Sequence, residues 1–488
     1  MSLARKAARG ALWTIISSMG ARAIGVGGTL LMTRFLSPHQ IGEVSDAAII
    51  SMTANWATIW GFGQYAVVKG RGEDKAEVTW HATVAYMVLG AVSLGLVAMF
   101  GGRLAPFFDA PAAANYIPVM CLALYIRRLG AMPERVLQRD MKFRAAGIAL
   151  FFGETSYTIV ALSLAALGYG GWSIVLANVV QSVVVVVVLV RAAGIASWAT
   201  PVKLRWSRFA DMLRYGVPLG IQGLAHGASR YWDNLTISHY FGPGPTGAYN
   251  MAYNLADIPA VQVGEQIAMV LMPSMAELPT ERRPRALERS TALLSLIIFP
   301  LAVGLGLIAY PLIELILPAN EWQLVAPLLA VLACLSVFRP IVWLLSAYLE
   351  AESKTNRLMF LELAKLGLLI VGIIILQRYG LREASGAVGI AFGITAIAGV
   401  MLVLREGPSP RRLLAGFLQP VMACVVMAGA VFGAHQGLVA IGADHPGILL
   451  SAMMVAGALA YIGAAFVFCR DTVRDLLGLL KTALSKQP

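Results

Sequence analysis

Apolar residues along this chain come neither in strict alternation nor in single stripes, but in blocks of about twenty cut by short polar loops. A helix needs roughly 17 to 25 such residues to cross the hydrocarbon core of a bilayer. The blocks predict spans at about 11–33, 44–66, 80–100, 113–126, 147–168, 172–190 and 214–239. Seven more are expected at about 247–271, 291–317, 324–349, 358–376, 384–404, 413–434 and 447–469. The fourth is the shortest, because Arg127 and Arg128 interrupt it. The expected fold is all-α: a polytopic membrane protein of about fourteen helices.

Composition agrees with that pattern. Of the 488 residues 58% are hydrophobic and only 13% charged, and the mean hydropathy is +0.73. The 48 glycines suit helices that approach closely in lipid. A net charge of +12 would suit a nucleic-acid partner only if gathered on one face or arm, and here it lies in short clusters between apolar runs, so no nucleic acid is expected. Cys121, Cys334, Cys424 and Cys469 each fall inside an apolar segment and have no metal spacing. The six histidines show none either, and there is no phosphate loop or H-E-x-x-H motif. The longest gap between spans, about 191–213, is too short for a catalytic domain, so neither an enzyme nor a cofactor or metal is expected.

The charges also orient the chain. With a cytoplasmic N-terminus, the inward segments carry 30 of the 38 Lys and Arg, while the outward loops hold only Arg34, Arg103, Arg378 and Arg382. Both termini are expected in the cytoplasm. The cluster Arg5, Lys6 and Arg9 ahead of the run 11–33 resembles a signal peptide, but the run is too long for one and reads as an uncleaved first span.

An internal repeat divides the chain. A shift of 205 residues lays Arg34–Gly42 over His239–Gly247, so that Pro38 meets Pro243, Gly42 meets Gly247 and Phe35 meets Tyr240. Six spans separate the copies, so both halves enter with one orientation, as in a parallel repeat about the membrane normal. The expected divisions are an N-terminal lobe at 1–200, a C-terminal lobe at 201–406, and two extra spans with a cytoplasmic tail at 407–488.

Several segments are then familiar: Arg34-Phe-Leu-Ser-Pro-x-x-Ile-Gly42, Gly61-Phe-Gly-Gln64, Leu137-Gln-Arg-Asp-Met-Lys-Phe-Arg144, Leu167-Gly-Tyr-Gly-Gly-Trp172, and Gly247-Ala-Tyr-Asn-Met-Ala-Tyr253 with Pro259. They resemble the polysaccharide-export flippases, the Wzx-like branch of the multidrug/oligosaccharidyl-lipid/polysaccharide exporter superfamily. The resemblance covers roughly residues 8–405 and is strongest at 137–144. It implies two six-helix lobes around a central cavity. It also implies alternating-access flipping of an undecaprenyl-pyrophosphate-linked oligosaccharide across the bacterial inner membrane, for exopolysaccharide, capsule or O-antigen assembly. Membrane lipids, and the polymerase and export machinery of that assembly, are the implied partners.

A charge within a span normally faces a cavity or a partner, since its burial costs roughly 2.5–3.5 kcal/mol on insertion scales. Arg22 and Arg230 lie in spans 1 and 7, and the shift puts the equivalent of Arg22 at Gly227, three residues before Arg230. Facing each other across the repeat axis, they would form a cationic wall suited to pyrophosphate. The alternative is that Arg230 satisfies Asp233, three residues on. Arg339 and Lys365 are further candidates, although Lys365 has Glu362 one turn before it. Arg127 and Arg128 belong to the cavity or to a cytoplasmic cluster. Asp46, Glu154, Asp233, Asp257 and Glu265 are candidates for ion coupling, with polar packing as the plain alternative.

Gly216-x-x-x-Gly220 and Gly223-x-x-x-Gly227 mark close helix packing, and Arg205, Arg208 and Arg214 with Trp206 and Phe209 read as an interfacial amphipathic linker. Two other functions compete with a flippase. A drug or metabolite exporter of the same superfamily would have a smaller, more apolar or acidic cavity. A polysaccharide polymerase or ligase would need a sizeable outward loop, and the longest here, about 101–112, is short.

Overall fold

The structure is a computed structural model, and it describes residues 20–485 except 22, 71–73, 141, 260–278, 319, 353, 405–406 and 444. Every regular element among the described residues is helical. In chain order these are α1 (Ala23–Met32), α2 (Pro38–Trp56), α3 (Phe62–Lys69), α4 (Lys75–Phe100), α5 (Ala113–Leu129) and α6 (Ala131–Arg139). There follow α7 (Phe143–Ala166), α8 (Trp172–Ala193), α9 (Trp206–Phe241), α10 (Pro243–Pro259), α11 (Arg283–Leu307) and α12 (Ala309–Ile316). The rest are α13 (Val325–Leu335), α14 (Arg339–Ala351), α15 (Thr355–Leu376), α16 (Leu381–Leu404), α17 (Pro410–Ala440), α18 (Pro446–Phe468) and α19 (Arg470–Ser485). Nine helices among the described residues are long and apolar enough to cross a membrane. The chain is a multi-pass, all-α membrane protein.

Several expected spans are jointed rather than continuous, and the sequence explains the joints. The run 324–349 splits into α13 and α14 around a 3₁₀ turn at Ser336–Phe338, because Pro340 has no N–H to give the carbonyl of Ser336. The run 291–317 breaks at Ile308 in the same way, since Pro311 cannot donate to the carbonyl of Leu307. The second run is interrupted between α2 and α3 at Gly61, whose φ of +63° is open to glycine. Of the eighth, the structure describes α10 as far as Pro259. The fourth is helical through Arg127 and Arg128, cations in the last turn where the helix dipole favours them.

Burial is inverted relative to a water-soluble protein. Met99, Phe152, Val371, Val425, Leu459 and Val467 are all more than half exposed, whereas Asp46, Ser51, Ser173, Ser238 and Ser385 are fully buried. Such an apolar exterior has lipid as its solvent.

The chain forms two compact units, Met1–Gly247 and Ala248–Pro488. In the first, α7 and α8 form a hairpin, α5 packs on α2, α4 and α8, and α9 runs beside α2. Ala47, Ile50, Ile117, Cys121 and Val175 fill the core between these helices. Within the segment 137–144, Arg139 on α6 donates to the Gly70 carbonyl at 3.2 Å and to Thr79 Oγ1 at 3.2 Å, joining α6 to the start of α4.

In the second unit the α17–α18 hairpin lies on α11, with Tyr461 Oη donating to the Leu296 carbonyl at 2.7 Å. The α15–α16 hairpin packs beside α13 and α14. An ion pair of 3.0 Å between Arg289 and Asp475 ties the amphipathic α19 to α11.

Candidate functional site

In the second unit four of the described intramembrane charges, Asp257, Arg339, Glu362 and Lys365, gather at one place. Arg339 opens α14 immediately after the Ser336–Phe338 turn and is 3% exposed. Its guanidinium donates to Asp257 of α10 and lies 4.5 Å from the ring centre of Tyr253 and 5.2 Å from that of Phe392 on α16. Lys365 of α15 lies 5.0 Å from the same Phe392 ring, and its Nζ is 2.6 Å from Glu362, three residues earlier on one helix face. The cluster sets two cations against one aromatic ring and gives each its own carboxylate. Pairing lets such charges persist in a medium that punishes isolated ones. A guanidinium also binds phosphate through two parallel hydrogen bonds, so an anion reaching Arg339 would compete with Asp257 for the same fork.

The first unit keeps its charges apart. Arg128 is 4% exposed and serves the end of α2: it donates to the Asn55 side chain at 2.7 Å, the Asn55 carbonyl at 2.7 Å, Thr58 Oγ1 at 2.5 Å and, across on α4, the Tyr86 carbonyl at 3.0 Å. Carbonyls at a helix C-terminus lack intrahelical donors and carry partial negative charge, which suits a guanidinium. Arg127 lies in the fields of Glu134 and Glu154, and Glu154 accepts a 2.8 Å hydrogen bond from Gln181.

Asp46 is fully buried, with Oδ2 2.5 Å from Ser238 Oγ. Arg230 lies 5.8 Å from the Tyr231 ring, which stacks on Trp56. Asp233 is 1% exposed and accepts from the Asn234 backbone at 2.9 Å. Arg22 and Glu265 lie outside the described residues, so the pairing of Arg22 with Arg230 rests on sequence alone.

The structure thus brings Arg339, Asp257 and Lys365 together and leaves Arg127 with Glu154, Arg128, and Asp46 at separate places in the first unit. Sequence reading missed the aromatic walls Tyr253 and Phe392, and the role of Ser238. Asp257 and Arg339 stand 82 residues apart, and no periodicity within either helix signals their meeting.

The linker before α9 is anchored by its cations. Arg208 pairs with Asp74 at 2.8 Å and Glu77 at 3.1 Å, while the Arg205 backbone N–H donates to His81 Nε2 at 2.8 Å. Beyond it, α9 lies along α2 and the turn that follows α2 by virtue of small residues. A Cβ on Gly216 would stand 1.7 Å from the Trp60 carbonyl oxygen, and one on Gly227 would stand 2.6 Å from the Trp56 ring. Gly223 faces open space. Further along, Trp232 Nε1 donates to Thr53 Oγ1 at 3.0 Å.

A profile described as polysaccharide biosynthesis protein matches residues 31–327, more than half of the chain. The chain belongs to this polysaccharide biosynthesis protein family. Among curated proteins, it is 26% identical over 336 residues to the succinoglycan biosynthesis transport protein ExoT of Rhizobium meliloti (strain 1021). That match covers 68% of this chain and 66% of ExoT, just under two thirds of the relative's length. The lipopolysaccharide biosynthesis protein WzxC of Escherichia coli (strain K12) is 21% identical over 411 residues, covering 83% of this chain and 81% of WzxC.

Among solved structures, the lipid II flippase MurJ in an inward closed conformation superposes with a TM-score of 0.77 at 15% identity, covering 95% of this chain and all of that one. An inward-facing multidrug resistance MATE transporter of the MOP superfamily gives 0.67 at 15% identity, covering 79% and 94%. These two likenesses establish the fold. With the family match they make the chain a multi-pass membrane member of the polysaccharide biosynthesis protein family.

Proposed function

We propose that the protein flips a lipid-linked oligosaccharide, joined to undecaprenyl through pyrophosphate, from the cytoplasmic to the outer leaflet of the bacterial inner membrane by alternating access. Both termini lie in the cytoplasm in this reading. The observation that carries it is the pair of buried cations, Arg339 and Lys365, flanking the Phe392 ring inside a membrane unit. A guanidinium in an apolar surround suits the pyrophosphate, and aromatic faces suit the apolar face of a sugar ring. The family match and the names of ExoT and WzxC, a succinoglycan and a lipopolysaccharide biosynthesis protein, support the substrate class.

The decisive experiment deletes the gene and identifies the lipid that accumulates. A pyrophosphate-linked glycan retained in the inner leaflet is expected. Normal glycan export from the deletion strain overturns the reading.

A second reading, export of an organic cation, is favoured by one feature. Each cation of the cluster already has a carboxylate, Asp257 for Arg339 and Glu362 for Lys365, so the cluster is not net positive. Loss of drug resistance rather than glycan export on deletion would select it.

A further inference from the structure

We propose that Asp46 and Ser238 form a proton-binding site whose occupied state latches α9 to α2. Asp46 lies on α2 and Ser238 on α9, both fully buried, and their side-chain oxygens are 2.5 Å apart. Ser238 Oγ is also 3.1 Å from the backbone carbonyl of Phe108, in the 3₁₀ turn Ala105–Phe108 that follows α4. Both neighbours are oxygens, and a serine hydroxyl has a single hydrogen. If Asp46 is ionised, that hydrogen serves either the carboxylate or the Phe108 carbonyl and leaves the other contact as two facing acceptors. If Asp46 carries a proton, its O–H donates to Ser238 Oγ and the serine O–H donates to Phe108, so both contacts are hydrogen bonds. The other carboxyl oxygen, Oδ1, is buried without a hydrogen-bond partner, which costs far more for a charged carboxylate than for a neutral acid. No described cation pairs with Asp46.

The position of this site turns a proton into a mechanical element. One to two turns toward the start of α2, the helix meets the first turn of α10 closely enough that a Cβ on Gly42 would be 1.8 Å from the Pro243 carbonyl oxygen, and a Cβ on Gly247 would be 1.8 Å from that of Pro38. The site therefore locks the end of the α2–α9 contact at which the two repeat motifs touch. Under the proposed orientation this end faces away from the cytoplasm. Binding forms one O–H bond, on the carboxylate of Asp46 with a proton from outside water, and breaks none within the protein. Losing it leaves a buried anion that must share the single Ser238 hydroxyl hydrogen with the Phe108 carbonyl, and favours separation of α9 from α2. Other ionisable groups near the site are Glu43 and His39 on α2, 3.4 Å apart, His239 on α9, Asp109 at the end of the 3₁₀ turn, and Tyr116 on α5.

The test measures distance, not transport, so its failure is distinct from failure of the flippase reading. Nitroxide labels are placed at positions 39 and 244, which face each other and which remove His39 as a titrating group, in protein whose four cysteines are replaced and which is reconstituted in liposomes. Spin–spin broadening is read between about pH 5 and about pH 9. Broadening at low pH should fall by about half or more as the pH rises. Asp46→Asn, whose amide donates to Ser238 as the protonated acid does, should stay broadened throughout. Should that variant not insert, Ser238→Ala serves instead and should flatten the titration. The proposal is overturned if the parent does not respond to pH, if either variant titrates as the parent does, or if Glu43→Gln abolishes the response.

Discussion

Gly42 and Gly247 make the same contact in opposite directions. Each lies where a Cβ would come within 1.8 Å of a backbone carbonyl, Gly42 against Pro243 and Gly247 against Pro38. The 205-residue shift equates Gly42 with Gly247 and Pro38 with Pro243, so the copies of the repeated motif pack on each other reciprocally, the glycine of each against the proline of the other. Pro38 and Pro243 each occupy the first position of a helix, α2 and α10, where a missing N–H costs nothing. Each glycine lies four residues on, one turn into the helix, and lets the other backbone in.

Alanine at either glycine should therefore be harmful although both are helical. In an open helix Gly→Ala gains about 1 kcal/mol of propensity, whereas here the backbones must part. Gly42→Ala and Gly247→Ala should each lower thermal stability and export, and by similar amounts because the contact is reciprocal. Gly223→Ala, which meets nothing within 4 Å, is the control and should be neutral or stabilising. Equal behaviour of all three variants in a melting assay would show that the crossing contributes little.

Arg128 should behave as a structural residue. Replacing it with Met keeps the length of the stem and strands four acceptors around it, including the carbonyls of Asn55 and Tyr86. Each buried group left unsatisfied costs roughly 1–3 kcal/mol, so the variant should lose most of its folded population in detergent. Arg128→Lys should recover only part, since an ammonium cannot span the same four acceptors. A stable Arg128→Met protein that has lost only export would instead assign this residue to substrate.

What the sequence made legible, and what it did not, follows from the range of each interaction. Apolar blocks mark helices because a lipid-exposed surface needs nearly every residue of a span to be apolar, as in α8 and α18. The reciprocal glycines were visible as a repeat before they were visible as a contact. Joints at Pro311 and Pro340 were hidden inside continuous apolar runs, because hydropathy does not register a missing N–H. The charged candidates were found by their cost in lipid, but not their partners. Asp257 and Arg339 meet across 82 residues, and Asp46 reaches Ser238 across 192. A helix pattern reports which face is polar, not which distant helix will lie against it.

Orientation can be checked at positions the structure leaves exposed. Tyr379 is 74% exposed between α15 and α16, Ile441 is 76% exposed between α17 and α18, and Trp206 is 78% exposed at the start of α9. With 30 of the 38 Lys and Arg placed on the inner side, single cysteines at Tyr379 and Ile441 should react with an impermeant maleimide added to intact cells. A cysteine at Trp206 should react only after the membrane is opened. Labelling of Trp206→Cys from outside would reverse the proposed orientation.

The Arg339–Asp257 pair offers a way to separate binding from folding. Removing one member of a buried pair leaves the other charge uncompensated, at roughly 3–5 kcal/mol, so Arg339→Ala alone should reduce the amount of protein in the membrane. Removing both members should restore that amount, because two neutral residues need no partner. If Arg339 also holds the anionic link of the substrate, export should stay low in Arg339→Ala/Asp257→Ala even though abundance recovers. Arg339→Lys should be intermediate, since an ammonium keeps the charge but not the two-pronged geometry. Glycan export normalised to membrane abundance, measured for the two single variants and the double, distinguishes the cases. Full export in the double variant would mean that Arg339 serves only to neutralise Asp257, and the substrate cation would then have to be sought at Lys365 or Arg230.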